Sequence, residues 1–228
     1  ARVARECKSD PNVKVLLLMR AGEAQYCAFE REWAEKGEDP SAAEQSEDYP
    51  DDSLLTARGI GEVLNLSRTT ASYCNDETGL VPDLVVVSPL RRSVQTAATA
   101  FPTLGPESVR SVPWICHGGL LERAGLKADR ALPAQELERI FPGVDYSMYP
   151  NVGTDSNGCG VESKKDLLRR TDDFLGWLGS RDERVVAVSS HSTWFQSFCG
   201  FTLRYEPEGR GSEMFETGDM RAVVLRFD

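Results

Sequence analysis

Hydrophobic residues along the chain fall into five short runs, separated by longer amphipathic or polar stretches. The runs cover residues 13–19, 84–87, 109–116, 184–189 and 222–225. Aliphatic side chains fill the first, second and fourth runs almost without interruption, which is typical of parallel strands buried on both faces. The pattern therefore predicts five strands.

Between these runs, apolar residues recur at helical spacing. Helices are predicted over residues 56–74, 91–100, 136–140, 163–178 and around 194–198. The expected inward faces are Ile60, Val63, Leu64 and Leu66 in the first, and Leu167, Leu168, Phe174, Leu175 and Leu178 in the fourth. Alternating strands and helices predict an α/β fold: a three-layer sandwich with a mostly parallel central sheet and helices on both faces. Without a repeat or a break in composition, we expect a single domain over residues 1–228.

Two stretches lack this periodicity. Residues 28–52 are polar and acidic, and we expect a surface excursion with one helical turn around Phe29–Trp33 and a mobile tip. Residues 146–161 contain one proline and three glycines, which predict a loop.

Composition narrows the classes of function. The net charge of −10 argues against non-specific nucleic-acid binding. No run of eighteen apolar residues is present, so we expect no membrane span. The six cysteines form no CxxC pair, which gives no metal signature. We interpret them as free thiols in a reducing compartment, either the cytoplasm or an organelle.

Polar side chains follow the predicted strands directly. Arg20 follows the first, Arg91 and Arg92 the second, and His191 the fourth. The carboxyl ends of parallel strands share one edge, so these groups are expected to form an anion pocket that suits phosphate oxygens. Glu122 would add a proton donor. Taken singly, each has an ordinary alternative: a solvated arginine, a helix-capping histidine, or a surface pair of Glu122 with its neighbour Arg123.

Six motifs in order make this pattern specific. They are Arg20-Ala21-Gly22-Glu23, Leu55-Thr56-Ala57-Arg58-Gly59, the segment Ser88 to Ala97, Leu120-Leu121-Glu122, Glu162-Ser163 with Arg170, and Ser189-Ser190-His191. Together they resemble the histidine phosphatase superfamily, in the branch that includes cofactor-dependent phosphoglycerate mutase. The resemblance runs from about residue 14 to the last strand, and it implies the phosphoglycerate mutase-like fold.

The resemblance also implies roles for individual residues. Arg20, Arg92 and His191 would bind the phosphoryl oxygens, and Glu122 would protonate the leaving oxygen and then activate water. The nucleophilic histidine of the family falls at position 21, where this chain has alanine. A methyl group has no lone pair, so the covalent route is closed in this chain. Cys27 stands at a phosphate-binding position where many relatives carry asparagine, and a thiol is the weaker donor.

Two interpretations of Ala21 remain open. The first is an engineered, inactive variant of an enzyme that hydrolyses phosphomonoesters through a phosphohistidine. The second is a natural pseudophosphatase that binds a phosphorylated small molecule or a phosphoprotein. A mutase is the less favoured parent, and Cys27 is not favoured as a substitute nucleophile because it lies six residues beyond Ala21. We expect no metal and no cofactor, and we place His117 in a loop at the pocket rim or on the surface. The substrate and the oligomeric state are not assigned.

Overall fold

A computed structural model describes residues 10–75, 77–105, 111–149, 161–205 and 213–227. Six strands in these ranges form one sheet. They are β1 (Val13–Arg20), β2 (Leu84–Val87), β3 (Trp114–His117), β4 (Asp145–Met148), β5 (Val185–Ser190) and β6 (Met220–Arg226). The order across the sheet is β4-β3-β2-β5-β1-β6, and every neighbouring pair is parallel except β1 with β6.

Helices cover both faces of the sheet. They are α1 (Gln25–Glu35), α2 (Ala57–Tyr73), α3 (Arg91–Ala100), α4 (Ala134–Ile140), α5 (Lys164–Gly179) and α6 (Ser192–Ser197). Short 3-10 helices span Pro40–Gln45, Gly118–Leu120 and Lys127–Asp129, and a π-helical turn at Phe198–Thr202 continues α6. One hydrophobic cluster packs α2, α3 and α4 on the sheet, and a second packs α5 and α6 on the opposite face. The predicted three-layer α/β sandwich is confirmed.

The central strands show why the fold follows from the sequence. In β1, Val15 and Leu17 belong to the first cluster, whereas Leu16 and Leu18 belong to the second. Successive side chains of a strand point to opposite faces, so a strand covered on both sides must be apolar throughout. The uninterrupted aliphatic runs are the direct consequence.

Several elements differ from the sequence prediction. Strand β4 takes the place of part of a predicted loop. Three of its four residues are exposed at the edge of the sheet, and they carry no apolar alternation. In α2, Val63 and Leu66 are buried as expected, but Ile60 and Leu64 are 46% and 49% exposed. The helix faces the core through the stripe that contains Gly59 and Val63, and the other two residues lie beside it. The predictions for residues 109–110 and 150–160 fall outside the described residues.

None of the helices in the described ranges is both long and apolar enough to cross a membrane. Cys27, Cys74, Cys116 and Cys199 are free thiols.

Candidate functional site

A cleft of about 250 Å³ opens at the carboxyl edge of the sheet. Arg20, Arg92, Glu122 and His191 all line it, together with Ala21 and Cys27. Arg20 ends β1, Arg92 lies in the first turn of α3 after β2, and His191 follows β5. The parallel strands thus bring residues that are far apart in the chain to one site.

Ala21 lies at the turn that follows β1. Its N–H donates to the carbonyl of Ser190 (3.0 Å), and its carbonyl accepts from the N–H of Gly218 (3.3 Å). Beyond it the backbone approaches α2 so closely that a Cβ atom on Gly59 would lie 2.1 Å from the carbonyl oxygen of Glu23. Position 21 is therefore fixed by backbone contacts, whatever side chain it carries.

Glu23 locks the same turn. The buried carboxylate is paired with Arg31, and it accepts a hydrogen bond from the hydroxyl of Thr56 (2.8 Å). That hydroxyl in turn accepts from the N–H of Gly59 (3.0 Å), so Thr56 is the N-cap of α2. These contacts explain the acidic end of the first motif and the Thr-x-x-Gly spacing of the second.

The two arginines after β2 have different partners. Arg91 does not line the cleft, because its Nε donates to the carbonyl of Asp52 (2.9 Å), and its N–H donates to the Asp52 side chain (2.9 Å). Asp52 is buried and has a φ of 33°, in the left-handed region that non-glycine residues rarely adopt. Burial raises the pKa of Asp52, and Arg91 partly opposes that shift. Arg91 therefore anchors the start of α3, which carries Arg92.

Arg92 is only 2% exposed and reaches the cleft from inside the protein. One terminal nitrogen donates to the carbonyl of Ala128 (2.7 Å), and the other donates to Oδ1 of Asp129 (3.0 Å). The guanidinium carbon lies 5.0 Å from the centre of the Tyr26 ring. Because the guanidinium has three separate contacts, its orientation is fixed.

Arg20 is held from the opposite side. Its guanidinium donates to the carbonyl of Phe215, and its N–H donates to the carbonyl of Asp219 (3.0 Å). Phe215 stacks on Phe195 with ring centres 4.5 Å apart. The loop before β6 therefore both orients Arg20 and contributes Thr217 to the lining of the cleft.

His191 is buried, and its Nε2 lies 2.8 Å from the hydroxyl oxygen of Ser88. Burial lowers the pKa of His191 well below its usual value, and Arg92, Arg170 and Arg20 lower it further. The imidazole is therefore neutral near pH 7 and offers one N–H donor. Ser88, the first residue of the third motif, positions that ring.

Glu122 accepts four hydrogen bonds through its two carboxylate oxygens. Three come from the N–H groups of Arg123 (2.8 Å), Thr193 (3.1 Å) and Trp194 (3.1 Å), and one comes from the hydroxyl of Ser192 (3.2 Å). The Arg123 side chain instead donates to the carbonyl of Glu162 (2.8 Å), so the alternative of a Glu122–Arg123 surface pair is wrong. The loop after β3 thus aims Glu122 at the cleft.

Arg170 supports that loop from behind. It donates to the carbonyls of Gly119 (2.9 Å) and Leu121 (2.7 Å), and it pairs with Glu162 (2.7 Å). In the fifth motif, Glu162 lies just before the N-cap of α5 and Arg170 lies within the helix, and the two close one ion pair. Neither residue lines the cleft.

The remaining side of the cleft is what we call the helical wall, residues 25–52 with 126–129. Cys27 lies in its first helix, α1, and is half-buried. Only one part of the prediction for residues 28–52 is wrong: they hold more than one helical turn, because α1 has eleven residues and a 3-10 helix follows it. Ala43 and Tyr49 are buried against Ala128, and the aromatic rings of α1 pack on them. The N–H of Lys127 donates to Glu44 (2.7 Å) and joins the two parts of the wall.

Sequence reasoning missed Tyr26 and Asp129, the wall residues that hold Arg92. The signal available in the sequence was the set of aromatic residues within an otherwise acidic stretch, namely Phe29, Trp33 and Tyr49. A solvated excursion has no need of such residues.

His117 lies neither at the rim of the cleft nor on the surface. It is the last residue of β3, buried against the rings of Phe174 and Trp177, with centres 5.2 and 4.7 Å away. Its Nδ1 accepts from the N–H of Gly119 (2.9 Å). Burial lowers the pKa of His117 to about 4. The histidine thus belongs to the core beneath the loop that carries Glu122.

A phosphoglycerate mutase-like protein from Arabidopsis thaliana is 29% identical over 184 residues, covering 68% of this chain and 65% of that protein. A second Arabidopsis thaliana relative, phosphoglycerate mutase-like protein 1, is 27% identical over 182 residues, with 68% and 62% covered. The chain thus spans slightly less than two thirds of the length of each.

Solved structures share the fold. The ecdysone phosphate phosphatase from Bombix mori has a TM-score of 0.58 at 15% identity, covering 94% of this chain and 89% of that one. The alpha-ribazole phosphatase from Shigella flexneri has a TM-score of 0.55 at 19% identity, covering 91% and 89%. The family model for the histidine phosphatase superfamily (branch 1) matches residues 16–224. This chain therefore belongs to branch 1 of the histidine phosphatase superfamily.

Proposed function

We propose that the cleft binds the phosphoryl group of a phosphomonoester, and that the parent reaction is hydrolysis through a phosphohistidine at position 21. The observation that carries this proposal is that Arg20, Arg92, Glu122 and His191 line one cleft together with Ala21. Two guanidinium groups and a neutral imidazole supply N–H donors for phosphoryl oxygens. The Bombix mori phosphatase, which shares the fold, was crystallised with tungstate, an oxoanion of similar shape.

With histidine at position 21, hydrolysis takes two steps. A ring nitrogen attacks phosphorus, the P–O ester bond breaks, and the leaving oxygen takes a proton from protonated Glu122. A water molecule, deprotonated by Glu122, then attacks the phosphohistidine. This step releases inorganic phosphate and restores both side chains. Arg20, Arg92 and His191 stabilise the charge that develops on the phosphoryl oxygens in both steps.

With Ala21, the same cleft binds a phosphoryl group but cannot form the covalent intermediate. Under the first interpretation the alanine is an engineered replacement in an otherwise intact phosphatase. Under the second the chain is a natural pseudophosphatase, and its ligand is a phosphorylated small molecule or a phosphoprotein. Cys27 favours the second interpretation, because a second position in the cleft also departs from the family pattern. In both cases we place the protein in a reducing compartment, with the cytoplasm as first choice.

The variant Ala21→His tests the proposal. We expect it to hydrolyse para-nitrophenyl phosphate and, after reaction with labelled phosphate ester, to retain a label that acid removes and base does not. The matched control is Ala21→Asn, which adds a polar side chain but no nucleophile of this kind and should stay inactive.

Oxoanion binding by the unmodified chain separates the outcomes. If the chain binds sulfate or tungstate but folded Ala21→His shows no turnover, the phosphatase reaction is rejected and the pseudophosphatase remains. If neither protein binds an oxoanion, the phosphoryl site itself is wrong.

A further inference from the structure

Arg92 is held by an acidic residue that lies outside the six motifs. Asp129 ends the 3-10 helix Lys127–Asp129 in the helical wall. Its carboxylate accepts a hydrogen bond from Arg92 at 3.0 Å. Both side chains are almost completely buried, Asp129 being 5% exposed and Arg92 2%. Asp129 does not line the cleft, so it contacts Arg92 from the side that faces away from a bound anion.

The position of Asp129 is itself built into the wall. Its Oδ2 accepts from the N–H of Leu126 (3.3 Å), which closes the short 3-10 helix. The preceding carbonyl, that of Ala128, accepts from the other terminal nitrogen of Arg92 (2.7 Å). If the carboxylate swung away from the guanidinium, it would therefore also lose its bond to the Leu126 N–H.

The pairing changes the charge that an incoming ligand meets. Arg20 and Arg92 are cations, Glu122 and Asp129 are acids, and His191 is neutral, so with both acids ionised the formal charges cancel. The chain as a whole carries −10. A dianion entering such a site gains little net attraction, whereas protonation of one acid would make the site cationic.

We propose that Asp129 is a positioning residue that sets the charge of the cleft: its carboxylate fixes the Arg92 guanidinium and opposes a second negative charge on the ligand, so that dianion binding is coupled to uptake of a proton by Asp129. This inference rests on the proposed function, since it assumes that the cleft binds a phosphoryl group. It predicts a site that prefers a phosphoryl monoanion or a mildly acidic pH.

The surroundings of Asp129 allow it to take up a proton. The groups that act on it are Arg92 on α3, Glu122 on the loop after β3, and Tyr26 and Tyr49 in the wall. Burial raises the pKa of Asp129 to about 6, and Glu122 adds to this, while Arg92 opposes it. Burial also raises the pKa of both tyrosines, so they remain neutral and add no charge beside Asp129.

Sulfate is the appropriate probe, because it stays a dianion between about pH 5 and pH 8 and any change in affinity then comes from the protein. For the unmodified chain we expect the Kd for sulfate to rise about tenfold across this range. Asp129→Asn keeps an oxygen acceptor for Arg92 but removes the charge. Its Kd should be about tenfold lower than that of the unmodified chain at about pH 8, and it should change much less with pH.

Asp173→Asn is the matched control, because it removes the same charge from an exposed position on α5. It should bind sulfate with the pH dependence of the unmodified chain. If Asp129→Asn also keeps that dependence, or binds more weakly at every pH, the inference is overturned while the phosphoryl site stands. If no variant binds sulfate at any pH, the proposed function fails, and this inference falls with it.

Calorimetry on the unmodified chain gives a second measurement that does not depend on the folding of a variant. Sulfate titrations near neutral pH, repeated in buffers with different ionisation enthalpies, should show uptake of a large fraction of one proton. Binding without proton uptake would overturn the inference.

Discussion

The two sides of the cleft hold their polar side chains by different means. On the strand-end side, which we define as Arg20, Ala21, Glu122 and His191, the groups follow strands of one sheet. Backbone groups contact Arg20, Ala21 and Glu122, and the buried Ser88 hydroxyl contacts His191. The helical wall acts on the cleft through side chains. The ring of Tyr26 and the carboxylate of Asp129 both contact Arg92. Position on the first side follows from the fold itself, whereas on the second it depends on which side chains the wall carries.

This difference determines what each side tolerates. A backbone contact inside a packed sheet cannot relax, so changes there should lower stability strongly. A side-chain contact in a peripheral layer can adjust, so changes there should lower stability less than changes on the strand-end side.

Gly59→Ala should cause the greatest loss of stability. The added Cβ would lie 2.1 Å from the carbonyl oxygen of Glu23 and 2.9 Å from its nitrogen, both backbone atoms behind the strand-end side. We expect the free energy of unfolding to fall by about 3 kcal/mol or more, measured by chemical denaturation.

Gly61→Ala, on the same helix, is the control. Its Cβ would meet no described atom within 4 Å, so better helix propensity should raise the free energy of unfolding by about 0.5–1 kcal/mol. Equal stability of the two variants would show that the turn after β1 is looser than the close approach implies.

The next effect is a loss of stability in mild acid. Burial lowers the pKa of His117 to about 4 in the folded protein, below the ordinary value of 6.5. Between these values the unfolded chain binds a proton at this residue and the folded protein does not. The free energy of unfolding therefore falls as the pH drops from about 6.5 to about 4, and it rises again when the pH is raised. The loss from this residue is about 3 kcal/mol.

His117→Asn isolates the contribution of His117 to this acid dependence, because the amide oxygen can accept from the N–H of Gly119 but does not titrate. His191 is the other histidine of the chain, and its lowered pKa acts in the same direction. The variant should therefore retain a shallower acid dependence, seen in unfolding curves recorded at several pH values. An unchanged dependence would mean that His117 is not the sensitive group.

Arg170→Ala should cause a smaller loss of stability, but it should also lower the rate of catalysis. The variant loses the ion pair with Glu162 and the support of the Gly119 and Leu121 carbonyls, at a cost of about 2–3 kcal/mol. In an Ala21→His background we expect kcat to fall about tenfold with little change in KM, because Glu122 loses its alignment.

Arg169→Ala provides the comparison for Arg170. Arg169 is 73% exposed, against 20% for Arg170, and it pairs with a half-exposed aspartate one turn away. We expect stability within about 0.5 kcal/mol of the parent and unchanged kinetics. A similar loss in both variants would show that surface charge, and not loop support, is the cause.

The same division explains what could be predicted from the sequence. Arg20, Arg92 and His191 could be found because each follows an aliphatic run, and the parallel order of such strands brings their ends together. Glu122 follows a shorter strand but lies in a recognisable motif. The prediction of these residues depends on a short-range pattern and on the order of strands and helices along the chain, and a single sequence shows both.

Asp129 and β4 could not be found in this way. Asp129 is one of 36 acidic residues, and its partner Arg92 lies 37 positions away, so nothing local distinguishes it from a solvated carboxylate. Strand β4 is a mostly exposed edge strand, and its pairing with β3, not burial of its own side chains, holds it in the sheet. In both cases the deciding contact is non-local, and hydrophobic period carries no information about it.

Tyr49→Phe, in the helical wall, should have the smallest effect. The buried tyrosine donates to Glu30 at 2.8 Å and meets the Phe29 ring edge-on at 5.7 Å. Removal of the hydroxyl leaves the ring packing intact, so stability should fall by about 1 kcal/mol in chemical denaturation, and sulfate affinity should stay within about twofold. Glu30→Gln, which keeps an acceptor, should cost less. A larger drop in sulfate affinity for Tyr49→Phe would mean that polar contacts deep in the wall reach Arg92, and the wall would then be as rigid as the strand-end side it is contrasted with.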